Sequence, residues 1–148
     1  IYHLWIKHVV RCREGSVKRD AIIKKWANKD GKFVKQCVET SLDSKDAYLY
    51  LRKSMPDISW NKVDLHGKGD KLVRATPLEP IFEAPGHVHV VRGDWNNDWL
   101  DEVDKFDGSG KQHDDQVDNV TSGYLFLAEN INTLTDEDMQ ALREINSQ

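Results

Sequence analysis

Apolar residues along the chain switch repeatedly between a spacing of two and a spacing near 3.6, which divides it into alternating short strands and helices. Leu4 to Arg13 predicts a strand, with Leu4, Ile6 and His8 on one side and Trp5, Lys7 and Val9 on the other. Gly15-Ser16 supplies a turn and an N-cap for a helix to about Asn28, with Val17, Ala21, Ile22 and Lys25 at helical spacing and Asp30-Gly31 as its stop. Phe33 to Thr40 reads as a second strand. A helix from about Ser44 to Met55 follows, with Ala47, Tyr48, Leu51 and Met55 on one face and Pro56 behind it. Ile58 to Leu65 is a third strand, leading into the loop His66-Gly67-Lys68-Gly69.

A helix from Asp70 to about Phe82 has to accommodate Pro77 and Pro80, which predicts a kink or break near Thr76. His87 to Arg92 is a fourth strand. Asp94 is placed to cap a helix bearing Trp95, Trp99, Leu100, Val103 and Phe106, and the loop Asp107 to Lys111 joins it to a last apolar stripe, Val117, Val120, Tyr124 and Leu127. Thr135 with Asp138 imitates a capping box for a terminal helix, Asp136 to Ile145. Strands alternating with helices predict an α/β fold with a mostly parallel sheet. Residues 1–130 are expected to form one domain and 131–148 a helical extension.

Composition adds limits. The chain has 148 residues, 39% hydrophobic and 31% charged, which suits one soluble domain with a core. No apolar run approaches the roughly 20 residues of a membrane span, and the first residues lack the pattern of a signal peptide, so an intracellular chain is expected. Cys12 and Cys37 are too few and too far apart for a zinc motif, and their apolar surroundings predict buried free thiols. The net charge of −4 conceals an asymmetry: residues 1 to 74 hold 17 Lys and Arg against 9 Asp and Glu, whereas residues 75 to 148 hold 4 against 16. Folding either intermixes the two halves or leaves a basic surface beside an acidic pocket.

The densest chemistry lies in His113-Asp114-Asp115-Gln116-Val117-Asp118, which opens the last apolar helix. Helical spacing lets Asp114, Asp115 and Asp118 share one side of the first turn. One such Asp is ordinarily a cap or a favourable charge on the helix dipole. Three acids in one turn repel one another, and a hard cation such as Mg²⁺ or Mn²⁺, which prefers oxygen ligands, relieves that repulsion. Glu39 closes an otherwise apolar strand, where α/β folds collect their sites, and is a further ligand candidate or a solvated strand end.

Lys68, Lys71 and Arg74 are candidates for DNA phosphates, with Lys71 and Arg74 three apart at a helix start; the alternative is a solvated basic turn. His113 suits a supporting or substrate-contacting role beside the acids better than direct ligation. His87 and His89 share a strand face, but no third ligand is spaced to join them, so an exposed edge is expected. Trp95 and Trp99 form an i,i+4 pair that reads as core before it reads as a base-stacking surface.

Taken together and in order, Val38-Glu39-Thr40, Lys68-Gly69-Asp70-Lys71-Leu72-Val73-Arg74-Ala75, Gly93-Asp94-Trp95-Asn96 and His113 to Asp118 resemble the C-terminal nuclease domain of tailed-phage terminase large subunits. The likeness runs from near the first residue to about Leu127. It implies a ribonuclease-H-like mixed sheet flanked by helices, and a metal-dependent endonuclease that cuts concatemeric double-stranded DNA during phage packaging. By motif, it makes Glu39, Asp114 and Asp115 the catalytic carboxylates, with Asp118 beside them, holding Mg²⁺ or Mn²⁺ for two-metal hydrolysis. The partners it implies are double-stranded DNA, an ATPase domain, the small terminase subunit and the portal, in the host cell cytoplasm and without a membrane.

The pattern departs from the family at its start, because the first-strand Asp has no counterpart before Asp20, which falls in a predicted helix. The expected fold therefore lacks the family's first strand. A phosphate-binding Gly-x-x-x-x-Gly-Lys-Ser/Thr loop of the ATPase half is also missing from the sequence. Two other readings stand beside the nuclease: a truncated or prophage-remnant domain that binds DNA or packaging partners without cleaving, and another ribonuclease-H-like enzyme such as a junction resolvase or hybrid nuclease.

Overall fold

The computed structural model describes residues 3–40 and 45–130. It is an α/β structure whose strands pair in parallel. The expected single sheet is represented among the described residues by two separate two-stranded ribbons, β1 (Leu4–Ile6) with β4 (Val88–Val90), and β2 (Gln36–Thr40) with β3 (Trp60–Asp64). The chain forms two compact units, one made of Ile1–Cys12 with His66–Tyr124 and the other of Arg13–Leu65 with Leu125–Gln148, and each holds one ribbon. No described helix is long and apolar enough to cross a membrane.

In the second of these units, β2 and β3 run in register from Gln36 beside Trp60 to Thr40 beside Asp64. Helix α2 (Lys45–Ser54) packs on both strands. Tyr48 and Leu51 on that helix, and Met55 after it, are buried at the predicted spacing, whereas Ala47 is exposed. The Trp60 indole donates to the Met55 carbonyl at 3.2 Å, which fixes the chain reversal around Pro56. Val63, Leu65 and Phe126 form the apolar centre.

Helix α1 (Ser16–Asp30) departs from expectation on the face it buries. Val17 is 83% exposed and Ala21 is also exposed, while Ala27 is the buried residue. The cap differs too: Gly15 takes the N-cap position and gives no side-chain bond. Gly31 ends the helix at φ 85°, a left-handed region that costs glycine little, and its N–H donates to Ala27 O at 3.2 Å.

In the first unit β1 is far shorter than the ten-residue run that alternation predicts. Its pairing ends where β4 ends, with the Val91 amide donating to Ile6 O at 3.0 Å. Pro77 and Pro80 break the third helical stretch as expected, into α3 (Lys71–Ala75), a 3₁₀ turn (Thr76–Leu78) and α4 (Glu79–Glu83). Helix α5 (Asn96–Lys105) starts two residues beyond Asp94, and the N-cap position falls to Trp95, which gives no side-chain cap bond. The Asn96 carboxamide accepts from Gly93 N at 2.7 Å and donates to Val91 O at 3.0 Å.

Helix α6 (Asp115–Asn130) carries the acidic motif at its start. Its predicted apolar stripe is only partly buried: Val117 is, Leu127 is 55% exposed, and Thr121, Ser122 and Phe126 are the covered positions. Trp99 is 1% exposed and stands edge-on to Trp95, as the core reading expects. It lines an apolar cavity of about 300 Å³ with Leu78, Phe82, Val103, Phe106 and Val117. Both cysteines are free and neither is buried as expected: Cys12 is half-buried, and Cys37 is exposed because strand alternation puts it on the open face of β2. The predicted terminal helix, Asp136 to Ile145, and the expected extension over residues 131–148 lie outside the described residues.

Candidate metal and phosphate site

The start of α6 is held by a residue that spacing did not single out. Glu102, on α5 and 6% exposed, accepts from the backbone N–H groups of Gln116 and Val117 at 2.5 and 3.0 Å through Oε1, and from Gln116 Nε2 at 2.6 Å through Oε2. Its carboxylate thus satisfies amides that a helix start leaves without intrahelical acceptors, and puts a negative charge at the positive end of the helix dipole. A sequence signal existed: Glu102 lies three residues after Trp99, inside the apolar stripe of α5, where an acid requires a partner.

Asp114 directly precedes this helix start and is 5% exposed. Its carbonyl accepts from Asp118 N at 2.9 Å, so the two side chains stand one turn apart. Between them lies the Lys71 ammonium, 2.6 Å from Asp114 Oδ1 and 2.6 Å from Asp118 Oδ2. Partial burial opposes the charged form of Lys71, but the hydrogen bonds and charges of the two carboxylates outweigh it and hold the ammonium above its usual range.

Arg74 completes the cluster. It reaches Asp118 Oδ1 at 3.5 Å and the Gly69 carbonyl at 3.2 Å, leaving its Nε buried without a protein partner. Asp70 presents α3 in this position by capping it, its carboxylate accepting from Val73 N at 2.9 Å. Gly69 is required at the preceding turn on two counts: φ is 85°, and a Cβ there would lie 2.7 Å from Val73 Cγ1.

The structure therefore brings Lys71, Arg74, Asp114 and Asp118 together from two motifs more than forty residues apart. It also answers the charge asymmetry locally, because cations from the basic half neutralise acids from the acidic half. Asp115 opens α6 with an exposed side chain, His113 is exposed in the preceding loop, and Lys68 is half-buried between Gly67 and Gly69. Glu39 belongs to the other unit, exposed near the carboxyl end of β2 and in register with Val63.

Among the described residues no three His, Cys, Asp or Glu side chains form a metal-ligand group as they stand. Two carboxylates one helical turn apart already share a single cation, as oxygen donors for a hard ion would, and Asp115, next in the chain after Asp114, has its side chain exposed. No protein-family model matches the chain, and neither a curated protein nor a solved structure does.

Proposed function

We propose that this chain is a metal-dependent endonuclease domain of the terminase type, acting on concatemeric double-stranded DNA, with a ribonuclease-H-like fold. The observation that carries the reading is the meeting of the Gly69 to Arg74 loop with the acidic start of α6, two of the motifs on which the family resemblance rests. Asp114, Asp115 and Asp118 would hold Mg²⁺ or Mn²⁺. Such ions activate water and stabilise the leaving oxygen in phosphodiester hydrolysis.

The chain's own residues would contribute placement and charge. Glu102 fixes the helix start that carries Asp115 and Asp118 and that Asp114 directly precedes. Lys71 and Arg74, when released from the carboxylates, are available to phosphate oxygens, Arg74 through its planar fork. Lys68 and His113 border the same two segments. By the resemblance, an ATPase domain, the small terminase subunit and the portal would be the partners, in the host cytoplasm.

Supercoiled plasmid incubated with Mn²⁺ tests this directly. The chain is expected to nick it, and Asp114→Ala and Asp115→Ala are each expected to lower the rate at least about a hundredfold, the scale of removing strong charge stabilisation from a site. Cleavage that survives both substitutions would sink the assignment. A second reading has a specific observation in its favour: Lys71 already neutralises the acid pair, as in a domain that binds DNA or packaging partners without cutting. That reading predicts salt-sensitive DNA binding with no metal-dependent hydrolysis.

A further inference from the structure

Three imidazoles and an indole gather on the β1–β4 ribbon. Trp5 is in register with His89, and the Leu4 amide donates to His87 O at 2.8 Å, which sets His3 beside His87. Strand alternation gives positions 3 and 5 on one strand and 87 and 89 on the other a common face. The ring geometry agrees: His89 stacks on Trp5 at 4.1 Å and on His3 at 5.0 Å, and the His87 ring centre is 5.4 Å from that of His3. His3 is thus the third histidine that sequence spacing did not supply to His87 and His89.

Two of these rings aim nitrogen at nitrogen: His3 Nδ1 lies 2.8 Å from His89 Nε2. Such a contact has one ring donating and the other accepting, so at least one imidazole in it is neutral. The geometry points to a binding site for a borderline divalent ion such as Zn²⁺, with His3 Nδ1 and His89 Nε2 as ligands and water in the remaining positions. Zn–N bonds of about 2.0–2.1 Å at a tetrahedral angle place the two nitrogens roughly 3.3 Å apart, so the present pair has to part by about 0.5 Å. His3 is exposed and can make that movement without disturbing the core.

The ring that now donates would shift its proton to its other nitrogen, freeing a lone pair for the metal with no net proton released from a neutral pair. Trp5 stacked on His89 holds that ring's orientation, as an outer-shell group does for a metal-bound imidazole. A hard ion is a poor competitor here, because Mg²⁺ prefers oxygen.

Calorimetric titration of the whole chain with Zn²⁺ tests the site. A saturable event is expected in the wild type, retained in Asp118→Asn and weakened at least about tenfold in both His3→Gln and His89→Gln, the scale on which metal affinity responds to changes around a site. Co²⁺ titration should give an absorption band that disappears in the same two variants. His3→Gln changes an exposed side chain, so loss there cannot be assigned to unfolding. Unchanged Zn²⁺ affinity in His3→Gln and His89→Gln, or no saturable binding by the wild type, would overturn the site. Neither result bears on plasmid cleavage, which depends on other residues.

Discussion

Two acidic sites meet at the start of α6 and are neutralised in different ways. Glu102 is bound by three N–H donors, two of them backbone groups that cannot leave without unwinding the helix. Asp114 and Asp118 are bound mainly by one ammonium on a flexible four-carbon stem, with the Lys71 side chain 33% exposed. The first carboxylate is locked into the fold. The second pair has no such lock, because its cation is carried by a side chain that is partly in solvent. A buried acid is thus not functional by virtue of burial; what matters is whether its partner can be released.

The largest expected effect tests the locked site. Glu102→Ala leaves two helix-start amides and the Gln116 carboxamide without an acceptor, and should cost about 3 kcal/mol in chemical denaturation, with Glu102→Gln milder. A loss below about 0.5 kcal/mol would show that water replaces the carboxylate and that the start of α6 is not fixed by it.

A smaller effect belongs to Lys71. Lys71→Met removes the cation from two carboxylates and should destabilise the chain by about 1–2 kcal/mol at neutral pH, less than a fully buried pair because Lys71 is partly solvated. Its raised pKa sets the pH dependence. The contribution is fully present below the unfolded lysine value, about 10.4, and is lost as pH rises through the higher folded value. Denaturation of wild type and variant should therefore differ by a constant amount from pH 7 to 10 and converge above it. The smallest effect is the control: Lys105, bound at 2.8 Å to Asp101 on the exposed side of α5, should cost no more than about 0.5 kcal/mol as Lys105→Ala.

Much of the element order was legible because it is written locally. Pro77 and Pro80 have to interrupt a helix, Pro56 has to end one, and the Tyr48, Leu51 and Met55 spacing has to face a core. Strand lengths were not legible, since pairing partners set them: Leu4 to Arg13 alternates well, yet β4 offers hydrogen bonds to only part of it. Val17 shows the same limit for helices, because apolar periodicity on α1 does not guarantee that anything packs there.

Within the candidate site, the acids and the basic loop could each be picked out from residue type. Their pairing could not, because Lys71 and Asp114 stand 43 positions apart and nothing in between signals that the two meet. Residue type points Lys71 and Arg74 at phosphates, and the structure places them on carboxylates, which leaves phosphate contact as a proposal about their released state. Glu102 is not legible as a site residue, because an acid in an apolar stripe makes sense only beside the helix start that the fold delivers.

The most direct measurement is Mn²⁺ affinity, read from the electron paramagnetic resonance signal of free Mn²⁺. If the carboxylate pair is a cation site that Lys71 now fills, the wild type binds Mn²⁺, Asp118→Asn binds it at least about tenfold more weakly, and Lys71→Met binds it more tightly because the competing ammonium is gone. Equal affinity in Asp118→Asn and wild type, or no gain in Lys71→Met, would contradict it.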